Sequence, residues 1–322
     1  MRTRRFGRTG LRVSELVFGG GYVGGILLFP DDRTKLAAVQ LALHAGINWI
    51  DTAPGYGDGK SEEALGWILR EVDQEPYIST KVRLDPARLD DIYGQIEASV
   101  HASLERLNRD RVDLLQLHNP LGPGHLDLRH VLDDGGVAEA LEDMRSQGLT
   151  DYIGLTALGD RASVLTALDS GRFDSAQVYY NMINPSAAHA LPSGWSGHDF
   201  SGIVDTCLTH GVAMMAIRVL AAGVLATPIR HGREVIITEG SDMAAEERRA
   251  EIVQTALGDE NGTPAQPAIR YVLSHPDISC ALVGLAERAH LDEALDAQDM
   301  GPLPSEAIAA LNRLYDTEFA GL

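Results

Sequence analysis

The chain has 322 residues, of which 44% are hydrophobic and 33 are glycine, a size that suits one large α/β domain or two small ones. Its 46 acidic and 27 basic residues leave a formal net charge of −19, which repels nucleic-acid phosphates and anionic lipids and predicts neither as a partner. The two cysteines, Cys207 and Cys280, are too few for a disulfide framework, and neither the basic N-terminus nor any other segment has the ~18 apolar residues of a membrane helix, so we expect a cytoplasmic protein.

Eight short apolar runs recur along the chain, and most of them precede a segment with helical spacing. In chain order the predicted strands are LVFG (16–19), INWIDT (47–52), YISTKV (77–82), LLQLHN (114–119), YIGLTA (152–157), SAQVYYN (175–181), AMMAIRVL (213–220) and CALVGL (280–285). Near-continuous apolar strands that alternate with helices are typical of a parallel sheet covered by helices.

The predicted helices carry start and stop signals of their own. TKLAAVQLALHAG stops at Gly46, and SEEALGWILREV has Ser61 as a candidate N-cap before Glu62 and Glu63, which suit the positive end of a helix. IYGQIEASVHASLERLN and AEALEDMRSQG repeat the pattern. Eight units without a linker predict one domain over residues 1–322, a (β/α)8 TIM barrel with an N-terminal extension and long loops at its C-terminal face.

A glycine-rich segment follows the first predicted strand. Residues 19–24 read GGGYVG, a literal G-x-G-x-x-G, which is half of the fingerprint of a dinucleotide-binding Rossmann fold. The other half requires a helix that starts inside the glycine run, but Pro30 intervenes and the first helix is predicted to begin only near residues 31–34. We therefore interpret the segment as a flexible turn near the mouth of a pocket.

Polar side chains follow three neighbouring predicted strands. Asp51 and Tyr56 come at and after the end of the second strand. Lys81 lies near the end of the third strand, and His118 near the end of the fourth. In a barrel these positions meet at the C-terminal face, where catalytic groups lie. Each residue alone has a structural interpretation, but a lysine inside YISTKV needs a partner for its charge.

These four side chains form a coherent acid–base unit. An ammonium beside a phenol favours the phenolate, so Lys81 is expected to ease proton release from Tyr56, while Asp51 keeps Lys81 charged. Such a phenol suits proton transfer to and from an alcohol or carbonyl oxygen, with His118 orienting the carbonyl. Hydride transfer needs little else from the protein, because the cofactor carries the carbon chemistry.

Over nearly its whole length the sequence resembles the aldo-keto reductases. The motifs that carry the resemblance are FGRTGLRVSELVFGGG, GINWIDTAPGYGDGKSEEALG, ISTKV, DLLQLHNP, YIGLTA, QVYYN, LAAGVL and VGLAERAHLDEAL. The resemblance implies a (β/α)8 barrel without a Rossmann domain, which binds a nicotinamide cofactor in an extended pose and interconverts a carbonyl and an alcohol. It also implies catalytic roles for Asp51, Tyr56, Lys81 and His118, with Tyr56 as general acid in reduction and general base in oxidation.

The resemblance implies cofactor contacts that this chain retains only in part. The nicotinamide carboxamide is expected on Thr156 and Gln177, whereas Ala157 lacks the hydrogen-bonding side chain of the family. Ile217 stands where many members have a stacking tyrosine, and an aliphatic side chain still packs against one ring face. Arg218 stands where a serine is common, and it is expected either to contact a cofactor phosphate or to pair with a loop carboxylate.

Residues 283–294, VGLAERAHLDEA, are expected at the adenine end of the cofactor. The candidate contacts there are Gly284, Glu287, Arg288 and His290. Glu287 repels a 2′-phosphate but accepts hydrogen bonds from a ribose hydroxyl, which favours NAD. If the Arg288 side chain turns inward, its positive charge favours the 2′-phosphate of NADP instead. The resemblance to the family favours NADP. We therefore predict that the chain binds NADP or NAD, with a slight preference for NADP.

Candidate substrate contacts lie on the loops after the first, fourth and sixth strands, and they are Tyr22, Asn119 and Trp195. The expected substrate is an aldehyde, a ketone or a sugar, since the motifs resemble bacterial sugar dehydrogenases and general aldehyde reductases more than steroid-active members. The spacing of histidines and carboxylates predicts no metal site. We expect a monomeric or weakly associating protein.

Two other functions are compatible with the same residues. A lyase or aldolase would use Lys81 to form a Schiff base with a carbonyl substrate. A regulatory protein would bind the nicotinamide cofactor without catalysis, although the intact set of four polar residues argues against that function.

Overall fold

The chain begins with a small antiparallel hairpin. In the computed structural model, which describes residues 1–238 and 241–320, strand β1 (Thr3–Arg5) pairs with strand β2 (Arg12–Ser14). Phe6, between the two strands, is fully buried, and its ring centroid lies 4.8 Å from that of Trp49. The hairpin is the N-terminal extension expected from the sequence.

Eight parallel strands form a closed barrel, as the sequence predicts. In chain order they are β3 (Leu16–Gly19), β4 (Trp49–Asp51), β5 (Tyr77–Val82), β6 (Val112–Leu117), β7 (Thr150–Ala157), β8 (Ser175–Tyr179), β9 (Ala213–Ile217) and β10 (Cys280–Gly284). Strands that are consecutive in the chain are neighbours in the barrel. The barrel closes where β10 pairs with β3, with Leu16 opposite Ala281 and Gly19 opposite Gly284.

Alternate side chains of each strand point into the barrel. The interior near the N-terminal ends of the strands is apolar, and the hairpin closes it there. This apolar cluster consists of Phe6, Val13, Val17, Trp49, Leu114, Ala213, Met215 and Cys280. Further along the strands the interior becomes polar, with Asp51, Lys81, Gln116 and Gln177 all buried. The larger core lies between the outer face of the barrel and the helices.

Helices surround the barrel. They are α1 (Asp32–His44), α2 (Lys60–Ile68), α3 (Ile92–Leu107), α4 (Arg129–Leu132), α5 (Val137–Ser146), α6 (Arg161–Asp169), α7 (Ile203–His210), α8 (Met243–Leu257), α9 (Ala265–Ser274), α10 (Arg288–Met300) and α11 (Ser305–Asp316). Asp31 caps α1 by accepting the Thr34 amide proton at 2.7 Å. The first helix therefore starts well after the glycine run of residues 19–24, as expected.

The start of α2 differs from the sequence prediction. The prediction that Ser61 caps this helix is wrong, because the helix begins at Lys60 after Gly59, and Ser61 lies inside the first turn. The buried Ser61 hydroxyl accepts a hydrogen bond from Thr52 at 2.8 Å and donates one to the Gly20 carbonyl at 3.0 Å. It therefore joins α2 to the loops that follow β3 and β4.

Long connections follow β8 and β9, as the sequence predicts, and α8 belongs to the second of them. Both connections lie at the C-terminal ends of the strands. No helix within the described residues is long and apolar enough to cross a membrane.

Candidate active site

The turn after β4 carries Tyr56 to the C-terminal end of the barrel. Asp51 is the last residue of β4, and the chain then turns back into α2 through residues 54–59. Gly57 and Gly59 adopt φ values of 65° and 90° in this turn, a left-handed backbone that glycine takes without steric cost. The half-buried phenol of Tyr56 is thereby held over the strand ends.

Lys81 points from β5 into the barrel and is fully buried. Its Nζ donates hydrogen bonds to Asp51 Oδ2 at 2.6 Å and to the Thr52 carbonyl at 2.8 Å. Burial alone lowers the pKa of Lys81, but the charge of Asp51 and, next, of Tyr56 outweighs burial, so the pKa of Lys81 is raised. Lys81 is therefore a fixed cation at neutral pH.

Asp51 is only 1% exposed and accepts several hydrogen bonds besides that of Lys81. Its Oδ1 accepts from the Ser79 hydroxyl at 2.7 Å, from Gln177 Nε2 at 2.9 Å and, more weakly, from Gln116 Nε2 at 3.4 Å. Sequence reasoning missed Ser79 and Gln116. The signal that would have found Ser79 is the period of two along β5, which places it on the same inward face as Lys81.

Tyr56 and His118 complete the cluster. The Nζ of Lys81 lies 4.8 Å from the centroid of the Tyr56 ring, and the rings of Tyr56 and His118 meet edge to face with centroids 6.0 Å apart. Burial, together with the positive charges of Lys81 and Arg83, lowers the pKa of His118 to about 3, so its imidazole is neutral at physiological pH. The structure thus brings the four polar residues singled out from the sequence into one cluster.

Two of the residues expected at the nicotinamide lie side by side. Thr156 on β7 is paired in register with Gln177 on β8, and both side chains are buried. Within the described residues the Thr156 hydroxyl has no hydrogen-bond partner, whereas Gln177 donates to Asp51 and Ala157 packs in the outer core. Because a buried hydroxyl normally has a partner, Thr156 fits the polar group of a ligand such as a nicotinamide carboxamide.

Ile217 and Arg218 lie at the end of β9. Ile217 is the last residue of β9 and is nearly buried, with 9% of its surface exposed. Arg218 has a φ of 57°, a left-handed conformation that non-glycine residues rarely adopt. Its Nη1 donates to the Val235 carbonyl at 2.6 Å, which links the strand end to the long connection after β9.

The residues expected at the adenine end lie at the junction of β10 and α10. Gly284 ends β10 and is exposed. His290 Nε2 lies 3.3 Å from Glu287 Oε1, so these two side chains face each other. Arg288 Nε lies 3.9 Å from Asp292 Oδ2, and most of the Arg288 side chain is exposed. The positive charge of Arg288 is therefore directed along the helix.

The three residues expected at the substrate have different surroundings. Tyr22 is 46% exposed, and its ring meets that of Phe29 edge to face with centroids 5.8 Å apart. Asn119 is buried, and its side-chain amide accepts from the Leu84 amide at 2.8 Å and donates to the Leu84 carbonyl at 3.0 Å. Trp195 packs against Arg249, whose guanidinium carbon lies 5.1 Å from the indole centroid.

Comparisons with known proteins agree with this architecture. A family model described as the aldo/keto reductase family matches residues 15–316. The chain is 30% identical to D-threo-aldose 1-dehydrogenase of a Pseudomonas species over 256 residues, which cover 70% of this chain and 71% of that protein. It is 28% identical to L-galactose dehydrogenase of Arabidopsis thaliana over 302 residues, which cover 91% of this chain and 87% of that protein.

A solved structure has the same fold. The aldo/keto reductase from Klebsiella pneumoniae, in complex with NADP and acetate, superimposes with a TM-score of 0.70 and 24% sequence identity. The superposition covers 98% of this chain and 95% of the other.

Proposed function

This chain belongs to the aldo/keto reductase family of oxidoreductases, and from that premise we propose that it interconverts a carbonyl and an alcohol by hydride transfer with a nicotinamide cofactor. The observation that carries this proposal is the position of the Lys81 ammonium. Its Nζ is 2.6 Å from a carboxylate oxygen of Asp51 and 4.8 Å from the centroid of the Tyr56 ring. A carboxylate, an ammonium and a phenol in this order are suited to general acid–base catalysis, in which the phenol transfers a proton to or from a substrate oxygen.

Tyr56 is the proposed proton donor and acceptor. In reduction its phenol donates a proton to the carbonyl oxygen, and in oxidation its phenolate accepts the proton of the alcohol. The Lys81 ammonium favours the phenolate electrostatically, and Asp51 holds that ammonium in place through the 2.6 Å hydrogen bond.

His118 is proposed to orient the substrate. With a pKa of about 3, its imidazole carries a single N–H proton at neutral pH and no extra charge. That N–H is suited to donate a hydrogen bond to the same oxygen that accepts the proton of Tyr56. The two rings lie edge to face with centroids 6.0 Å apart, so one substrate oxygen between them is the proposed partner of both.

The residues that would hold the nicotinamide half of the cofactor are Thr156, Gln177, Ile217 and Arg218. Those that would hold the adenine half are Gly284, Glu287, Arg288 and His290. When bound, the cofactor supplies the hydride in reduction and accepts it in oxidation. NADP is the first proposed cofactor and NAD the second, because the family resemblance favours NADP while the carboxylate of Glu287 suits a ribose hydroxyl.

Small polyhydroxylated carbonyl compounds are the proposed substrate class. The names of two relatives, an aldose dehydrogenase and a galactose dehydrogenase, support sugars. Tyr22 and Trp195 are the proposed pocket residues, and Asn119 is proposed to act there through the loop that it binds at Leu84. A cytoplasmic location completes the proposal, supported by the two buried, unpaired cysteines.

The test is a steady-state comparison of NADPH and NADH oxidation with a panel of aldehydes, ketones and sugars. We expect turnover with at least one substrate class, and loss of about 10²- to 10⁴-fold in turnover for Tyr56→Phe. Full turnover of Tyr56→Phe with every active substrate would contradict the role of the phenol. Trapping of a covalent adduct at Lys81 by borohydride would favour the lyase alternative, which the raised pKa of Lys81 argues against.

A further inference from the structure

An ion pair with a fully buried carboxylate and a partly exposed guanidinium lies directly behind the proposed catalytic cluster. Glu62, in the first turn of α2, has no solvent exposure, and its Oε2 lies 2.7 Å from both Nε and Nη2 of Arg106 on α3. Its other oxygen, Oε1, accepts a hydrogen bond from the Thr80 hydroxyl at 2.5 Å. Both carboxylate oxygens are thus occupied, and the contacts join α2, α3 and β5.

One end of this network supports Lys81. Thr80 precedes Lys81 in β5 and points to the opposite side of the strand, away from the barrel interior. Its hydroxyl therefore fixes the outer face of the strand at the point where the inner face presents the ammonium. A shift of Thr80 relative to Glu62 moves the backbone from which Lys81 projects.

The other end supports Tyr56. Arg106 packs against Gly59 so closely that a Cβ at that glycine would lie 2.6 Å from Arg106 Cδ. Gly59 closes the turn that carries Tyr56 and is followed at once by α2. The same guanidinium thus binds Glu62 and limits the position of the turn.

Stability alone is a weak reason for this arrangement. Full burial of the Glu62 carboxylate and partial burial of the Arg106 guanidinium cost desolvation free energy, and well-packed apolar residues of similar volume are often at least as stabilising. What an ion pair adds over apolar packing is a defined geometry between the elements that carry it. Here those elements hold the cation and the phenol of the proposed reaction.

We propose that Glu62 and Arg106 are positioning residues, which set the distance between the Lys81 ammonium and the Tyr56 phenol by holding the supports of both. The inference rests on the proposed function for its kinetic consequences. Loss of the pair lets the ammonium and the phenol move apart, so the phenolate of Tyr56 is less favoured.

The first test is Glu62→Gln, which keeps the shape of the side chain and removes its charge. We expect kcat to fall about tenfold, the cofactor KM to stay within about twofold, and the midpoint of the pH profile of kcat to rise by about one pH unit. Thr80→Val leaves the ion pair intact and removes only the hydrogen bond to β5. We expect Thr80→Val to lower kcat about threefold and to raise the midpoint of the pH profile of kcat by less than one pH unit.

The matched control is Asp174→Asn. Asp174 is also buried, and it accepts from Arg8 at 3.1 Å and from Arg145 at 3.3 Å at the other end of the barrel. We expect this variant to lose thermal stability comparably to Glu62→Gln and to keep the pH profile of the wild type. An equal shift of the profile in Asp174→Asn would overturn the proposal, because it would mean that any loss of a buried ion pair suffices.

A second readout does not require turnover. The ionisation of Tyr56 is followed by near-ultraviolet difference absorbance, with Tyr56→Phe in the same background as the reference. We expect the Glu62→Gln midpoint to lie above that of the wild type. Unchanged midpoints in both Glu62→Gln and Thr80→Val would refute the positioning role. A wild-type protein without reductase activity would refute the proposed function instead, while this titration still decides the inference.

Discussion

At the N-terminal end of the barrel Phe6 and Trp49 fill the interior with apolar rings, whereas at the C-terminal end Asp51 and Lys81 fill it with a buried ion pair. Both ends are equally inaccessible to solvent, since all four side chains are at most 1% exposed. The apolar end gains free energy by excluding water. The polar end is costly to bury, and its charges are satisfied by each other, by the Thr52 carbonyl and by neighbouring side-chain amides and hydroxyls.

This difference separates stability from chemistry along one set of strands. In β4 a residue that stabilises the fold and a residue of the proposed chemistry lie two positions apart. Trp49 belongs to the apolar cluster, and Asp51 pairs with Lys81 at the polar end. The left-handed conformation of Arg218 also lies at the C-terminal end. Substitutions at the two ends should therefore have different signatures.

Lys81→Met should have the largest effect, because it removes the cation of the polar end. We expect turnover to fall about 10²- to 10⁴-fold, and the free energy of unfolding to fall by about 3–5 kcal/mol, since Asp51 is left buried without its cation. Urea denaturation and steady-state kinetics measure the two effects. The double variant with Asp51→Asn should recover much of the stability and none of the activity; a single variant that stays stable would contradict the buried pairing.

Phe6→Ala should affect the apolar end alone. Removal of a fully buried phenyl ring is expected to lower the free energy of unfolding by about 3–5 kcal/mol. Turnover measured well below the unfolding temperature should stay within about twofold, because the ring lies at the opposite end from the proposed catalytic residues. A large loss of turnover in protein shown to be folded by circular dichroism would mean that the two ends are coupled.

His118 should make stability depend on pH. Its pKa is about 3 in the folded chain and 6.5 without the effects of the fold, so between these values the unfolded state binds a proton that the folded state does not. Stability should therefore fall as the pH falls from 6.5 towards 3, with a slope from this residue of at most about 1.4 kcal/mol per pH unit.

The measurement is urea denaturation of the wild type and of His118→Gln at a series of pH values in this range. The stability difference between them should change with pH as described, whereas His44→Gln, at an exposed histidine, should track the wild type. A difference that does not vary with pH would show that His118 binds its proton equally well in both states.

Thr156→Val should have the smallest effect. The lost hydroxyl is buried and lacks a partner within the described residues, so its removal should leave stability unchanged or raise it by up to about 1 kcal/mol. The cofactor Kd should rise about five- to tenfold, the value of one hydrogen bond. Fluorescence titration with NADPH measures this change, and an unchanged Kd would remove Thr156 from the cofactor site.

The sequence predicts the barrel well because each strand is a local apolar run, and closure follows from the number of repeating units. It also predicts the cluster of Asp51, Tyr56, Lys81 and His118, since parallel strands bring their C-terminal ends together. Ser61 shows the limit of such reasoning. A serine before two glutamates is typical of an N-cap, but the Ser61 hydroxyl instead binds Thr52 and the Gly20 carbonyl, which lie 9 and 41 residues away in the chain.

Asn119 shows the same limit for a binding residue. A polar residue just after a strand is a reasonable candidate for a substrate contact, and yet the backbone of Leu84 uses both ends of its amide. The partner lies 35 residues away in the chain. Glu62 was expected at a helix start for its charge, but its contact with Thr80 and Arg106 depends on how three elements pack, which local patterns do not encode.

The pairing of β3 with β10 has a consequence for how the chain acquires its fold. Leu16 meets Ala281, so this last seam joins segments separated by most of the polypeptide. Until it forms, β3 and every incomplete sheet expose an unpaired edge, which is prone to association with other chains. Contacts of such long sequence separation also slow folding. During synthesis on the ribosome the cylinder therefore stays open until residues 280–284 emerge and β10 can pair with β3.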